Sequence, residues 1–295
     1  MMADYNNFLN IPPKNSDFHN SRAVIIPFPF EKSTTFGKGA KFGPKAIISA
    51  SSQVELFDEE LEKETYKEIG IHTTAEIKPN NASGKFYLPL AEKVRKIISL
   101  DKFPVILGGE HTISIGGILG AEEKYKSFSV LHFDAHADLR DSYENNKFSH
   151  ASAMRRVLEQ DGVKNLLSVG IRNISNSVEE GSEFDFYKKN PGRIKIFWAK
   201  DKDNLSIEEI LENLENNVYI TFDVDALDPS IMPSTGTPEP GGLFWSEVLK
   251  ILRQIFSKKN IIAVDVVELS PLKNLSAPDF MVAKLIYKMI GYKFL

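Results

Sequence analysis

The chain has 295 residues, 42% hydrophobic and 26% charged, which is the balance of a soluble globular protein with a substantial core. It carries a net charge of −4 from 36 basic and 40 acidic residues, with no basic tract, so nucleic acid is not an expected partner. It has no cysteine, which excludes disulfides and thiolate-bound zinc.

Residues 1–20 are polar, carry Pro12-Pro13 and read as an N-terminal arm. The first ten residues lack a charged region followed by an apolar one, and no apolar run approaches membrane-spanning length. The expectation is a cytoplasmic protein with no membrane contact, so the Asn81–Ser83 triplet carries no glycan meaning. Ala23–Ile26 reads as the first strand, stopped by Pro27 and Pro29. The Gly-rich loop Ser33–Pro44 lacks the Gly-Lys-Ser/Thr ending of a phosphate cradle and reads as a structured lead into a helix at Lys45–Ser52.

Asp58–Glu68 is strongly charged and reads as a solvated face. Ile69–Thr73 reads as a short strand, with His72 structural. Phe86–Leu100 has helical spacing, Pro104–Leu107 is a strand, and Thr112–Tyr125 is a helix whose Gly116, Gly117 and Gly120 imply close packing. A strand then runs into Asp134, a polar loop covers Leu139–Phe148, and Ser149–Glu159 reads as helical. Asn165–Gly170 and Ile194–Trp198 are strands, and Ser206 with Glu209 suggests a helix start. The loop Leu227–Gly242 carries four prolines, and loops of that length are usually functional. Trp245–Phe256 is helical, Asn260–Val267 a strand and Pro278–Met289 a closing helix. Strands alternate with helices and no linker interrupts them. The expectation is one α/β domain over residues 1–295, with a mostly parallel sheet covered on both faces.

Four of the strands end in acids or imidazoles. S-V-L-H-F-D-A-H-A-D places Asp134, His136 and Asp138 at i, i+2 and i+4, on one face if the chain stays extended. V-Y-I-T-F-D-V-D repeats the idea with Asp223 and Asp225. F-P-V-I-L-G-G-E-H ends at His111, and I-I-A-V-D-V-V-E ends at Glu268. Buried unpaired charges are costly, and a cation would remove that cost. Four Asp and two His give O/N ligation suited to two Mn²⁺-class ions. His132 sits deeper in its strand and reads as a supporting residue, while Glu110 follows a Gly-Gly turn that leaves its direction open.

Together these blocks resemble the ureohydrolase superfamily of arginase, agmatinase and relatives, and agmatinase most. The resemblance runs from about Val24 onward through G-G-E-H, D-A-H-A-D, S-H-A, D-V-D-A-L-D-P, T-G-T-P-E-P-G-G and E-L-S-P. It implies a three-layer α/β/α sandwich, two Mn²⁺ per chain and a homo-oligomer, trimer or hexamer. By matching position the metal ligands are His111, Asp134, His136, Asp138, Asp223 and Asp225, with Asp134 and Asp223 bridging. His150 matches a proton-shuttling histidine, Glu268 the acid that pairs with a guanidinium and Thr237 a threonine near that group. His150, Glu268 and Asp138 form the catalytic set. Ala151 departs from the glycine common at its position.

The implied reaction is hydrolysis of a small cationic guanidino substrate to urea and an amine, agmatine first. N1-aminopropylagmatine, guanidinobutyrate and arginine are the alternatives within the class. A metal-binding relative without turnover is the alternative outside it. The loop Leu139–Phe148 resembles the agmatinase form, and its Asp141 and Glu144 are expected at the mouth, with Asp141 on the substrate. Arg140 and Lys147 in the same loop could also point inward.

Overall fold

The computed structural model describes residues 5–34, 36–79 and 85–295. The first four residues of the expected arm and the Asn81–Ser83 triplet lie outside them. Eight strands form one sheet: β1 Ala23–Phe28, β2 Ile71–Thr73, β3 Phe103–Gly108, β4 Phe128–Phe133, β5 Val163–Ile171, β6 Ile194–Trp198, β7 Asn217–Asp223 and β8 Asn260–Val267. Their spatial order is β2-β1-β3-β8-β7-β4-β5-β6, and every pairing is parallel.

Both faces are covered, so the strands are apolar on both sides. On β1, Ala23 and Ile25 join one core with the helices Gly43–Ser51, Trp245–Lys258 and Ala277–Phe294. Val24, Ile26 and Phe28 join the other, with Leu88–Ser99 and Ser114–Glu122. This is the expected three-layer α/β/α sandwich. The glycines of Ser114–Glu122 have the packing reason expected of them. A Cβ on Gly116 or Gly120 would meet the carbonyl of Tyr87 or Ala91 at 2.6 Å, because the two helices touch backbone to backbone.

Two stretches differ from expectation. Phe8, Leu9 and Ile11 of the N-terminal segment are buried in the core beside the helix Gly43–Ser51, because three apolar side chains outweigh their polar neighbours. Asp58–Glu68 is not simply a solvated face. Asp58 is buried and lies 2.7 Å from the ammonium of the equally buried Lys288, with Glu59 and Glu60 at 3.1 and 3.4 Å. His72 is structural as expected, with Nδ1 2.8 Å from the carbonyl of Ser16. Among the described residues no helix is long and apolar enough to cross a membrane.

The topology places the site. The four strands expected to end in acids or imidazoles are the four central neighbours, β3-β8-β7-β4. The chain lays down β1, adds β2 outside it and β3 inside it, then builds outward from β4 through β5 to β6, and finally fills the gap with β7 and β8. Ligands bind beyond the carboxyl ends of strands at such a switch point.

Candidate active site

The Gly108-Gly109 turn after β3 is pressed against the end of β1. The N–H of Gly109 donates to Phe28 at 3.2 Å, and a Cβ there would fall 1.9 Å from the carbonyl oxygen of Phe30. Only glycine fits, and the turn delivers Glu110 and His111 into the interior. His111 is 1% exposed. Its Nε2 lies 2.9 Å from the Thr221 hydroxyl, which itself donates to Asp265 at 2.6 Å. The Thr221 oxygen therefore accepts and His111 carries a proton on Nε2, which leaves Nδ1 as the ring atom facing the acids. That Nδ1 has no hydrogen-bond partner, yet Asp134, Asp223 and Asp138 place Oδ2 atoms 3.0, 3.3 and 3.4 Å from it.

The acids are aimed by backbone N–H groups. Asp134 Oδ1 accepts from His136 at 2.6 Å, Asp223 Oδ1 from Asp225 at 2.8 Å and Asp225 Oδ1 from Ala135 at 2.9 Å. Each acid turns its Oδ2 toward a histidine of the centre, Asp134 Oδ2 lying also 2.7 Å from His132 Nε2, and Asp225 Oδ2 stands 3.0 Å from His136 Nδ1. These residues converge as expected, though not along an extended strand. β4 stops at Phe133, and the chain turns through Asp138, whose φ of 52° is left-handed. Strain of this kind persists where surrounding contacts fix it.

This donor set fits a divalent cation. Two groups of three donors cluster within 4.8 Å, His111–His132–Asp134 and Asp134–His136–Asp225, and Asp134 belongs to both. His132 has partners at both ring nitrogens, Asp134 Oδ2 at 2.7 Å and Ser168 Oγ at 3.0 Å, the arrangement expected of a supporting residue. Burial, then the neighbouring carboxylates, push Asp138 and Asp223 well above the usual carboxylate range. Acids held together at that cost are acids arranged for a cation.

Glu268 completes the floor of the cavity. It is buried, has a left-handed φ of 63°, and accepts the His111 N–H at 2.7 Å. Burial, then Asp223 and Glu110, hold its carboxyl well above its usual range. His150 and Thr237 line the same cavity, of about 210 Å³. Burial lowers the His150 pKa.

The structure does not bring Asp141 to the cavity. Arg156 takes it at 3.2 Å, with Arg155 and Lys147 each at 3.9 Å, and their charges draw it outward and lower its pKa. Glu144 is absent from the lining as well. Arg140 does line it, but is paired with Glu180. The acid at the mouth is Glu239, held by the Asn173 amide at 2.7 Å and 4.0 Å from His136 Nε2. Sequence reasoning missed it, although it stands inside T-G-T-P-E-P-G-G. It also missed Thr235, a lining residue whose buried hydroxyl has no partner. The i, i+2 spacing of Thr235 and Thr237 was the available signal. Arg172 gave none: it ties together the carbonyls of Gly170, Asp225 and Glu239 at 2.9, 2.6 and 2.8 Å.

Comparison with known proteins agrees with this geometry. Residues 21–291 match the family model described as the arginase family. The N(1)-aminopropylagmatine ureohydrolase of Synechocystis sp. is 35% identical over 94% of this chain and 90% of that protein. The agmatinase of Halalkalibacterium halodurans is 33% identical over 87% of this chain and 86% of its own. Among solved structures, the agmatine ureohydrolase of Thermoplasma volcanium superposes with a TM-score of 0.84 at 24% identity, over 99% of this chain and 95% of that one, which shows the shared fold. The arginase of Medicago truncatula superposes with a TM-score of 0.76 at 27% identity, over 93% of this chain and 88% of that one. With the family model spanning nearly the whole chain and the donor cluster formed at the carboxyl edge of its sheet, this protein is a member of the arginase family.

Proposed function

We propose that this chain hydrolyses the guanidinium group of agmatine, giving urea and putrescine, with two Mn²⁺ held by His111, Asp134, His136, Asp138, Asp223 and Asp225. The observation that carries the proposal is the meeting of three chemistries in one cavity: the cation-seeking donor cluster, the buried carboxylate of Glu268 and the imidazole of His150. The ions, when bound, supply a water that is nucleophilic at neutral pH. Glu268 holds the substrate guanidinium by charge-assisted hydrogen bonds, which fix the planar group for attack. A guanidinium neighbour also relieves the desolvation that raises the Glu268 pKa. His150 gives a proton to the departing amine nitrogen, a step worth roughly 10²–10⁴-fold. Burial lowers its pKa, the direction that favours release of that proton. Thr237 and Thr235 line the cavity and offer hydroxyls to the guanidinium N–H groups.

A second substrate has specific support. Four relatives, at 35%, 36%, 36% and 33% identity, carry the name N(1)-aminopropylagmatine ureohydrolase. That molecule shares the guanidinium and extends beyond the mouth, where Phe36, Tyr143 and Glu239 line the opening. The resemblance also supports a cytoplasmic trimer or hexamer as the working form.

Urea release from agmatine, N1-aminopropylagmatine, guanidinobutyrate and arginine, all with one Mn-loaded preparation, decides the substrate. No urea from any of them overturns the proposal. Metal analysis of the active preparation should find close to two ions per chain.

A further inference from the structure

Ser33 lies in the loop after β1, and its hydroxyl oxygen has three polar neighbours. Glu110 Oε1 is at 2.9 Å, the backbone nitrogen of His150 at 2.9 Å and the ring Nδ1 of His150 at 3.3 Å. Glu110 is fully buried. Its Oε2 accepts the backbone N–H groups of Lys32 and Ser33 at 2.6 and 2.7 Å, and its Oε1 accepts the hydroxyls of Ser33 and Thr112, the latter at 2.7 Å. Four donors thus converge on one carboxylate, and the loop carrying Ser33 is fixed against it.

A serine hydroxyl has one proton to donate. Here Glu110 takes it, so the Ser33 oxygen can only accept from its other two neighbours. The His150 backbone N–H is one. The ring Nδ1 is the other, and it must carry a hydrogen to make that contact. Neutral His150 then keeps its proton on Nδ1 and its lone pair on Nε2.

We propose that Ser33, held by Glu110, is a positioning residue that orients the His150 ring and fixes its neutral tautomer, so that Nε2 is the atom that exchanges the proton. The proposal rests on the reading of His150 as the proton-transfer group. The pair spans 117 residues, and Ser33 needs no contact with substrate. The other groups acting on His150 are Glu110, His136 and His111 through space and the edge of Tyr143, whose ring centroid is 5.8 Å away. None of them contacts Nδ1 as Ser33 does.

Ser33→Ala, Ser33→Thr and His150→Asn, each Mn-loaded, test this. Ser33→Ala is expected to lower kcat on the order of 10- to 100-fold, the usual cost of losing an orienting partner, with KM, metal content and Tm close to wild type. Ser33→Thr keeps the hydroxyl and is expected to retain most of kcat. The crystal structure of metal-loaded Ser33→Ala is expected to show the His150 ring turned from its wild-type orientation. The pH–kcat profile should also shift in Ser33→Ala, which a purely structural residue would leave in place. If His150→Asn is impaired but Ser33→Ala is not, or if Ser33→Thr is as poor as Ser33→Ala, the positioning role is wrong. If His150→Asn keeps full activity, the fault lies with the reading of His150 instead.

Discussion

Glu268 Oε1 accepts the backbone N–H of His111 at 2.7 Å, so the acid proposed to hold the guanidinium is anchored to a residue of the donor cluster. The Glu268 N–H in turn donates to Gly109 at 2.8 Å, which clamps the ends of β8 and β3 together. Glu268→Gln separates charge from geometry, because an amide oxygen still accepts the His111 N–H. Expected is a loss of kcat/KM of at least about 10², corresponding to roughly 2.7 kcal/mol or more of guanidinium binding in the transition state, with metal content unchanged. Urea assays beside metal analysis check it. A variant that turns over normally would remove Glu268 from the reaction.

The cluster was legible in the sequence because its chemistry is written locally. Apolar runs ending in Asp134, Asp223, His111 and Glu268 announce strand ends facing one site, and those runs became the four central strands. What was not legible depends on distant partners. Asp141 reads as a mouth acid until Arg155 and Arg156, 14 and 15 residues on, draw it away. The charged stretch at Asp58 reads as solvated until Lys288, 230 residues on, is packed against it. Glu110 had no readable direction because its partners, Lys32 and Ser33, lie 78 and 77 residues earlier. One local error was geometric: spacing suggested an extended strand through Asp138, whereas the backbone turns there with a φ of 52°.

Asp265 tests how the His111 ring is held. It is fully buried and accepts from Thr221 at 2.6 Å and from Tyr219 at 2.7 Å. An asparagine there keeps one acceptor oxygen for two hydroxyls and faces the other with an NH2 donor, which lets Thr221 turn its proton toward His111 or Ser114, whose hydroxyl is 3.1 Å away. Asp265→Asn is therefore expected to weaken metal binding roughly 10- to 100-fold. Competition with a chelator reads the affinity directly, and an unchanged affinity would show that the ring needs no such partner.

Asp228 gives the loop that carries Thr235, Thr237 and Glu239 a defined acid sensitivity. Its carboxylate accepts the hydroxyl and N–H of Ser230 at 2.6 and 3.0 Å and the N–H groups of Gly241 and Gly242 at 2.9 and 3.0 Å. These bonds, the Ser230 hydroxyl foremost, pull its pKa down to about 2. A depressed acid contributes stability above its unfolded pKa, about 3.9, and loses it as pH falls through the folded value. The wild type should therefore exceed Asp228→Asn in denaturant stability by a constant margin from pH 7 to about 5, roughly 1–2 kcal/mol. The margin should shrink below about pH 4. A margin that grows on acidification would contradict the assignment.

Glu239 bears on the choice of substrate. Agmatine and arginine share the guanidinium, so the cation cluster and Glu268 cannot tell them apart. Selection falls to the mouth, where arginine adds a carboxylate beside its amine. Glu239 stands there, one-third exposed and steadied by Asn173, and its charge favours an ammonium and repels a carboxylate. The Arg140 guanidinium lines the cavity but is already paired with Glu180, so it is not free to receive that carboxylate. Repulsion and an unpaired buried anion both act against arginine. Each 1.4 kcal/mol is about tenfold, so a preference for agmatine in kcat/KM of roughly 10² or more is expected. Glu239→Gln should raise KM for agmatine several-fold with little change in kcat, and should narrow the gap to arginine. Asp141→Asn should do neither, since Asp141 faces Arg156 rather than the cavity. Were Asp141→Asn to change the preference and Glu239→Gln to leave it, the mouth would belong to the loop at residues 139–148 after all.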